Sequence, residues 1–246
     1  MHYASLSKKT WNRVSGLNLG EKKKFVLNEL ESCYQEGSWY DEVGTQFNKK
    51  DFSKQELYEK YNLNPKLKTV VVFSHIFWDA TFFFGKDIFF DYQEWLIQTI
   101  KKLSFNKNIN CLIKLHPAHA VKNNRNSKVG SFEKQIILEE LKVLPNHIKI
   151  IDYKDRITTL SLLKHIDYCI TVRGTVGIES ACLGVPVLLA GTGRYDHLGF
   201  TIDHNNKKEY FNSLLNIHKI KKYDKRKINL AIKYAYSLLF ERNIET

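Results

Sequence analysis

Histidines, carboxylates and glycines in this chain cluster directly after short apolar runs, at the places where buried strands would end. After Val70-Val71-Val72-Phe73 comes Ser74-His75-Ile76-Phe77-Trp78-Asp79, and after Cys111 to Leu115 comes His116-Pro117-Ala118-His119. Two later runs are followed by Arg173-Gly174-Thr175-Val176-Gly177-Ile178-Glu179 and by Gly191-Thr192-Gly193-Arg194-Tyr195-Asp196-His197. Imidazole and carboxylate groups move protons near neutral pH, which makes His75 and Asp79 the candidate catalytic residues. Gly174 and Gly177 would let backbone N–H groups approach an anion closely, with Thr175 capping the helix or bonding an oxygen. Glu179 would accept from ribose hydroxyls. The plainer alternative is that Gly177 only relieves helix–sheet crowding and Glu179 only complements a helix dipole. His119, three residues after His116, invites a metal, but no third ligand stands at suitable spacing and none is expected. Asp196 and His197 read either as an acid–base pair or as an ordinary surface loop.

These residues need a scaffold that brings several strand ends to one rim. From Lys68 onward, short runs rich in Val and Ile alternate with segments of helical periodicity, which is the signature of an α/β chain. Strands are expected at 69–74, 110–115, 148–152, 168–172 and 186–190, with helices near 90–103, 131–144, 156–165 and 176–183. Continuous apolar strands joined by helical crossovers imply a Rossmann-like, doubly wound parallel sheet, and such sheets bind ligands beyond the carboxyl ends of their strands. Residues 1–67 lack such runs and read as a mainly helical extension. Within it, Phe25, Val26, Leu30 and Cys33 give helical spacing, and Ser53-Lys54-Gln55-Glu56 has the form of a capping box. Residues 207–246 read as C-terminal helices near 207–219 and 225–241. The second of these places Ile228, Ala231, Ile232, Ala235, Leu238 and Leu239 on one stripe and a basic face opposite.

The length of 246 residues and 43% hydrophobic content exclude intrinsic disorder, and the formal charge of +12 favours anionic partners. Residues 207–242 hold ten Lys and Arg against three acids, a pattern read either as a solvated face or as one lying on a membrane surface. No aromatic-basic recognition motif argues for nucleic acid. No apolar run approaches the roughly 20 residues that span a bilayer, and the N-terminal residues carry no secretory signal pattern. The four cysteines lack CxxC spacing, which suits a reducing cytoplasm.

The motifs resemble those of GT-B glycosyltransferases, in particular bacterial capsule polysaccharide biosynthesis proteins of the Kdo-transferase type. Lys114-Leu115-His116-Pro117 looks like their K-x-H-P motif. Arg173 to Glu179, followed by Leu183-Gly184-Val185-Pro186-Val187, looks like their S/T-x-x-G-x-E and G-x-P-V elements, and Gly191 to Tyr195 resembles the loop that follows. The resemblance covers about residues 68–204, the donor-binding half of such an enzyme. It implies that His116 contacts the donor phosphate or base and Glu179 the ribose, that Arg173 and Lys114 stabilise the leaving phosphate, and that Gly193 and Tyr195 are also at the donor. It further implies a nucleotide sugar, CMP- or UDP-linked, as substrate, a glycan or glycolipid acceptor, and transfer without a cofactor. The acceptor half would come from a partner domain or chain, and the setting would be the cytoplasm, at the inner face of the plasma membrane. Arg173 and Thr175 stand where the family often has Ser, which leaves the nucleotide open. Sugar-nucleotide 2-epimerases share a similar segment, so a UDP-sugar 2-epimerase is the alternative activity, and a non-catalytic nucleotide-binding fragment is the alternative class.

Overall fold

The computed structural model describes residues 6–35, 50–77, 87–116, 132–152, 155, 157–193 and 195–241. Five parallel strands, β1 (Lys68–Phe73), β2 (Ile109–Lys114), β3 (Ile148–Ile151), β4 (Tyr168–Thr171) and β5 (Val187–Leu189), form one sheet in the order β3-β2-β1-β4-β5. Every residue of β2, β4 and β5 is buried, as expected for strands covered on both faces. The chain winds outward from β1 to β3 and then returns to the other side of β1, so the strand order reverses between β1 and β4. That reversal opens a crevice at their carboxyl ends.

Crossover helices α4 (Tyr92–Leu103), α5 (Phe132–Leu141), α6 (Thr159–His165) and α7 (Val176–Cys182) link the strands in turn. Alternation along β1 divides the core. Val71 and Phe73 face one side with Leu112, Cys169 and Val187, whereas Val70 and Val72 face the other with Cys111, Ile113, Ile170 and Leu188. The second face is covered by α4, with Trp95, Leu96 and Ile100, and by α8 (Lys207–Leu215), with Tyr210 and Leu214.

The first face is covered by elements from both ends of the sequence. Val26 of α2 (Lys22–Gln35) and Leu57 of α3 (Lys54–Lys60) lie in the same buried cluster as Ala231, Ile232 and Ala235 of α9 (Lys225–Tyr236). The described residues of segments 1–67 and 207–246 therefore share the core of the 68–206 sheet unit. The capping box at Ser53 and Glu56 is formed in full. The short α1 (Lys8–Ser15), capped by Ser7, has no counterpart among the expected elements; it packs Trp11 against Tyr234 and Phe200. Phe25, expected on the buried face of α2, is 66% exposed, because Val26 takes the inward position. The helix expected at 207–219 breaks at Asn216 into α8 and a 3₁₀ turn, Ile217–Lys219, and α9 ends in a π turn, Ser237–Glu241.

Candidate functional site

The crevice at the switch point is bridged by His75. Its Nε2 accepts from the Val172 backbone N–H at 3.1 Å and lies 2.9 Å from Thr171 Oγ1. An N–H can only donate, so Nε2 carries the lone pair and the neutral ring holds its proton on Nδ1. The imidazole stacks on Tyr92, with ring centroids 4.5 Å apart, and meets Trp95 edge-on. The basic nitrogen is thus turned into the β4 backbone, and His75 ties the end of β1 to the end of β4. In this arrangement it positions the turn that follows. Asp79, the other catalytic candidate, lies outside the described residues, as does His119.

That turn is organised from within. Thr171 Oγ1 accepts from the Gly174 N–H, and the Gly174 carbonyl accepts from the Gly177 N–H and from the Tyr195 hydroxyl. Thr175 stands at the N-cap of α7 with helical backbone angles and makes no side-chain cap, so its expected capping role is not taken up. A Cβ at Gly177 would collide with the Tyr195 phenol. Gly177 is therefore the seat of Tyr195, and its N–H is held by the Gly174 carbonyl. Tyr195 itself is 1% exposed, stacked on Phe200 and edge-on to Tyr234, so it braces the turn from the interior instead of contacting a ligand at the rim. Gly193, at a φ of 119° open chiefly to glycine, donates its N–H to Asp196 Oδ1. Asp196 thereby holds the loop, while His197 is exposed beside Asp196 and Asp203.

Arg173 departs from expectation in a similar way. It is 3% exposed, and its guanidinium is ion-paired with Asp87, whose backbone bridges to Gly191. A Cβ at Gly191 would press on both partners, at 2.6 Å from Asp87 Oδ1 and 2.8 Å from Arg173 Nη2. A buried guanidinium already matched by a carboxylate has little charge left for a ligand phosphate.

His116 and Glu179 remain at the carboxyl edge. The backbone N–H of His116 donates to Ser74 Oγ at 2.8 Å, which joins the ends of β1 and β2. Directly against this junction lies Glu133, in the first turn of α5 and fully buried. Burial pushes its carboxyl up to about 8, although the Ser74 hydroxyl and the His116 N–H both favour the ionised form; nearby Asp152 raises it further. Glu133 is the site residue that sequence reasoning missed. It follows a long polar segment, and no spacing in the chain links it to His116. Glu179 is half-buried on α7, and its low-dielectric surroundings push its carboxyl up to about 8 as well. Both carboxyls are therefore substantially protonated at neutral pH, able to donate as well as accept.

A model of the family described as "Capsule polysaccharide biosynthesis protein" matches residues 24–213, which take in the entire sheet. The chain belongs to this family. No curated protein matches it in sequence. Among solved structures it is similar to the β-Kdo 2,4 transferase of Thermosulfurimonas dismutans KpsC, at 17% identity and a TM-score of 0.46, with 90% of this chain and 57% of that one covered. It is also similar to S. aureus MnaA in its UDP co-structure, at 13% identity and a TM-score of 0.47, covering 78% and 45%. For the wall teichoic acid polymerase TagF the values are 14% and 0.44, covering 75% and 42%. The capsule-family chain thus spans about half the length of the solved structures it resembles. Its strand-end motifs, K-x-H-P at 114–117 and the turn at 173–179, lie within the matched residues.

Proposed function

We propose that this chain is the donor-binding portion of a glycosyltransferase that assembles capsular or other surface polysaccharide from a nucleotide sugar. The observation that carries the reading is the coincidence of the capsule-family match with a β1–β4 switch-point crevice, flanked on the same sheet edge by His116 after β2 and Glu179 after β4. In transfer, an acceptor hydroxyl oxygen forms a bond to the anomeric carbon and the bond from that carbon to the nucleotide phosphate breaks. The hydroxyl proton passes to a base, and negative charge collects on the departing phosphate. His116 is the group assigned to that phosphate, because Arg173 is already neutralised by Asp87. Glu179 is assigned to the ribose, where a protonated carboxyl can both donate to and accept from hydroxyls.

Calorimetric titration of the intact chain with CMP, UDP, CDP and GDP tests the reading. One nucleotide should bind, and Glu179→Ala and His116→Ala should each weaken it by about tenfold or more, the loss of a hydrogen bond to a charged or ribose group. A folded chain that binds none of the four, or variants that bind as the parent does, would remove the donor assignment.

A further inference from the structure

Helix α5 turns two residues wholly inward, Glu133 and Ile137, one helical turn apart. Ile137 lies in the second-face cluster with Trp95, Ile100 and Ile113, so a stripe that packing alone would make apolar opens with a carboxyl. A hydrocarbon there would bury without penalty, whereas burial pushes the Glu133 carboxyl up to about 8, and the fold gains nothing from its charge. What the carboxyl has is a place where three strand ends meet. His116, after β2, donates its backbone N–H to Ser74 Oγ, after β1, at 2.8 Å. That hydroxyl keeps a proton of its own to donate, and Glu133 is hydrogen-bonded to it and to the His116 N–H. Asp152, after β3, acts on the same carboxyl and pairs with Lys134, the next residue of α5, at 3.5 Å. Among the described residues, Ser74, His116 and Asp152, the last matched by Lys134, are the polar groups that face Glu133 from β1, β2 and β3.

We propose that Glu133 is a positioning residue that sets the aim of the His116 imidazole and, resting on the assignment of His116 to the donor phosphate, thereby fixes where that phosphate sits. The His116 N–H fixes the peptide plane from which the imidazole springs, and Pro117 restricts the same residue from the other side. A neutral Glu133 accepts from the Ser74 hydroxyl and places no charge behind the imidazole. An ionised Glu133 would set a negative charge behind a site that must receive an anion, so the neutral form is the one that suits a phosphate. An apolar residue in its place would pack against Ile137 and leave the Ser74–His116 junction without its third member.

Two substitutions at this one position, titrated with CMP, UDP, CDP and GDP, separate positioning from packing. Glu133→Leu should melt no lower than the parent yet bind the preferred nucleotide about tenfold more weakly, the loss of one hydrogen-bonded link. Glu133→Gln, neutral and able both to donate and to accept, should recover the parent's affinity to within about twofold. Added to His116→Ala, Glu133→Leu should cost little more, because it acts through an imidazole already removed. The parent's affinity should fall from about pH 7 to about pH 8.5 as Glu133 ionises, and that of Glu133→Gln should stay level. Histidine NMR of the unliganded chain reads His116 without any nucleotide. Its ring signal, assigned by its absence in His116→Ala, should shift in Glu133→Leu and return in Glu133→Gln. Parent-like affinity or an unshifted His116 signal in Glu133→Leu would overturn the proposal, as would a Glu133→Gln chain that binds as weakly as Glu133→Leu. A shifted signal in a chain that binds none of the nucleotides would instead end the donor reading, with Glu133 still ordering His116 but no phosphate for it to serve.

Discussion

The phenol of Tyr195 occupies the space that any side chain at residue 177 would need, and its hydroxyl donates to the Gly174 carbonyl beneath it. One aromatic residue thus fixes both the course of the turn after β4 and the requirement for glycine in α7. Because Tyr195 is held between Phe200 and Tyr234, it has no free volume into which to retreat. Gly177→Ala should therefore destabilise the fold by about 2–4 kcal/mol, in the manner of an overpacked core. Urea denaturation measures the loss. Tyr195→Phe alone should cost about 1 kcal/mol through its hydrogen bond. In combination it should relieve part of the Gly177→Ala penalty by removing the atom nearest the new methyl, so the two changes should be less than additive.

The Arg173–Asp87 pair should behave as a buried ion pair. Asp87→Asn leaves a guanidinium out of water without its counter-charge and should cost about 3 kcal/mol. Joining Arg173→Met to it should restore much of that stability. Equal instability in the single and double variants would remove the pair from its role in holding Gly191 against β4.

Glu133 makes stability depend on pH in a stated direction. Its folded-state value of about 8 lies above the ordinary carboxylate range, so the folded protein binds more protons than the unfolded chain between those values. Stability from this group is full in acid and is lost as pH rises from about 4.5 through about 8. Glu179, also raised to about 8, adds to the same slope. Glu133→Gln should be near neutral at pH 5 and should stabilise the protein by about 2–4 kcal/mol at pH 9. Denaturation curves at the two pH values decide it; a parallel shift at both would show that the carboxyl does not titrate in this window.

Cys111, Cys169 and Cys182 are free, buried and held in the thiol form by desolvation, Cys169 being pushed up to about 12. Thiol-specific labelling of the native chain at pH 8 should leave these three unmodified, and unfolding should expose them together. Mass mapping of the labelled peptides would detect any early reaction, which would indicate local opening of the sheet.

Much of the scaffold was legible because each strand is a self-contained apolar run. All five strands fall within a residue of their expected bounds, and Ser53 and Glu56 announced their capping box by spacing alone. The carboxyl edge was legible too, since strand ends in a parallel sheet share a rim. What residue type could not reveal was the direction each side chain takes on that rim. Arg173 and Tyr195 look like ligand groups in sequence, yet each is claimed by protein neighbours, Arg173 by the distant Asp87 and Tyr195 by nearby Phe200 together with the distant Tyr234. Glu133 and His116 are joined only by the folding of α5 over β2 and leave no local pattern. The short α1 was missed because eight residues with few apolar positions give too weak a period, and its place is set by Trp11 packing on Tyr234.

The bond from Lys233 to the Ser15 carbonyl joins positions 218 residues apart, and Lys22 reaches Tyr236 across 214. During synthesis, α1 and α2 emerge long before the helix that completes their half of the core. Until then Trp11 and Val26 lack their α9 neighbours, and the outer face of α7, which α9 covers, stays open. The chain is therefore most exposed to aggregation and to holding chaperones in the interval before α9 is made, and truncations that remove α9 should be cleared by proteolysis although every strand is present.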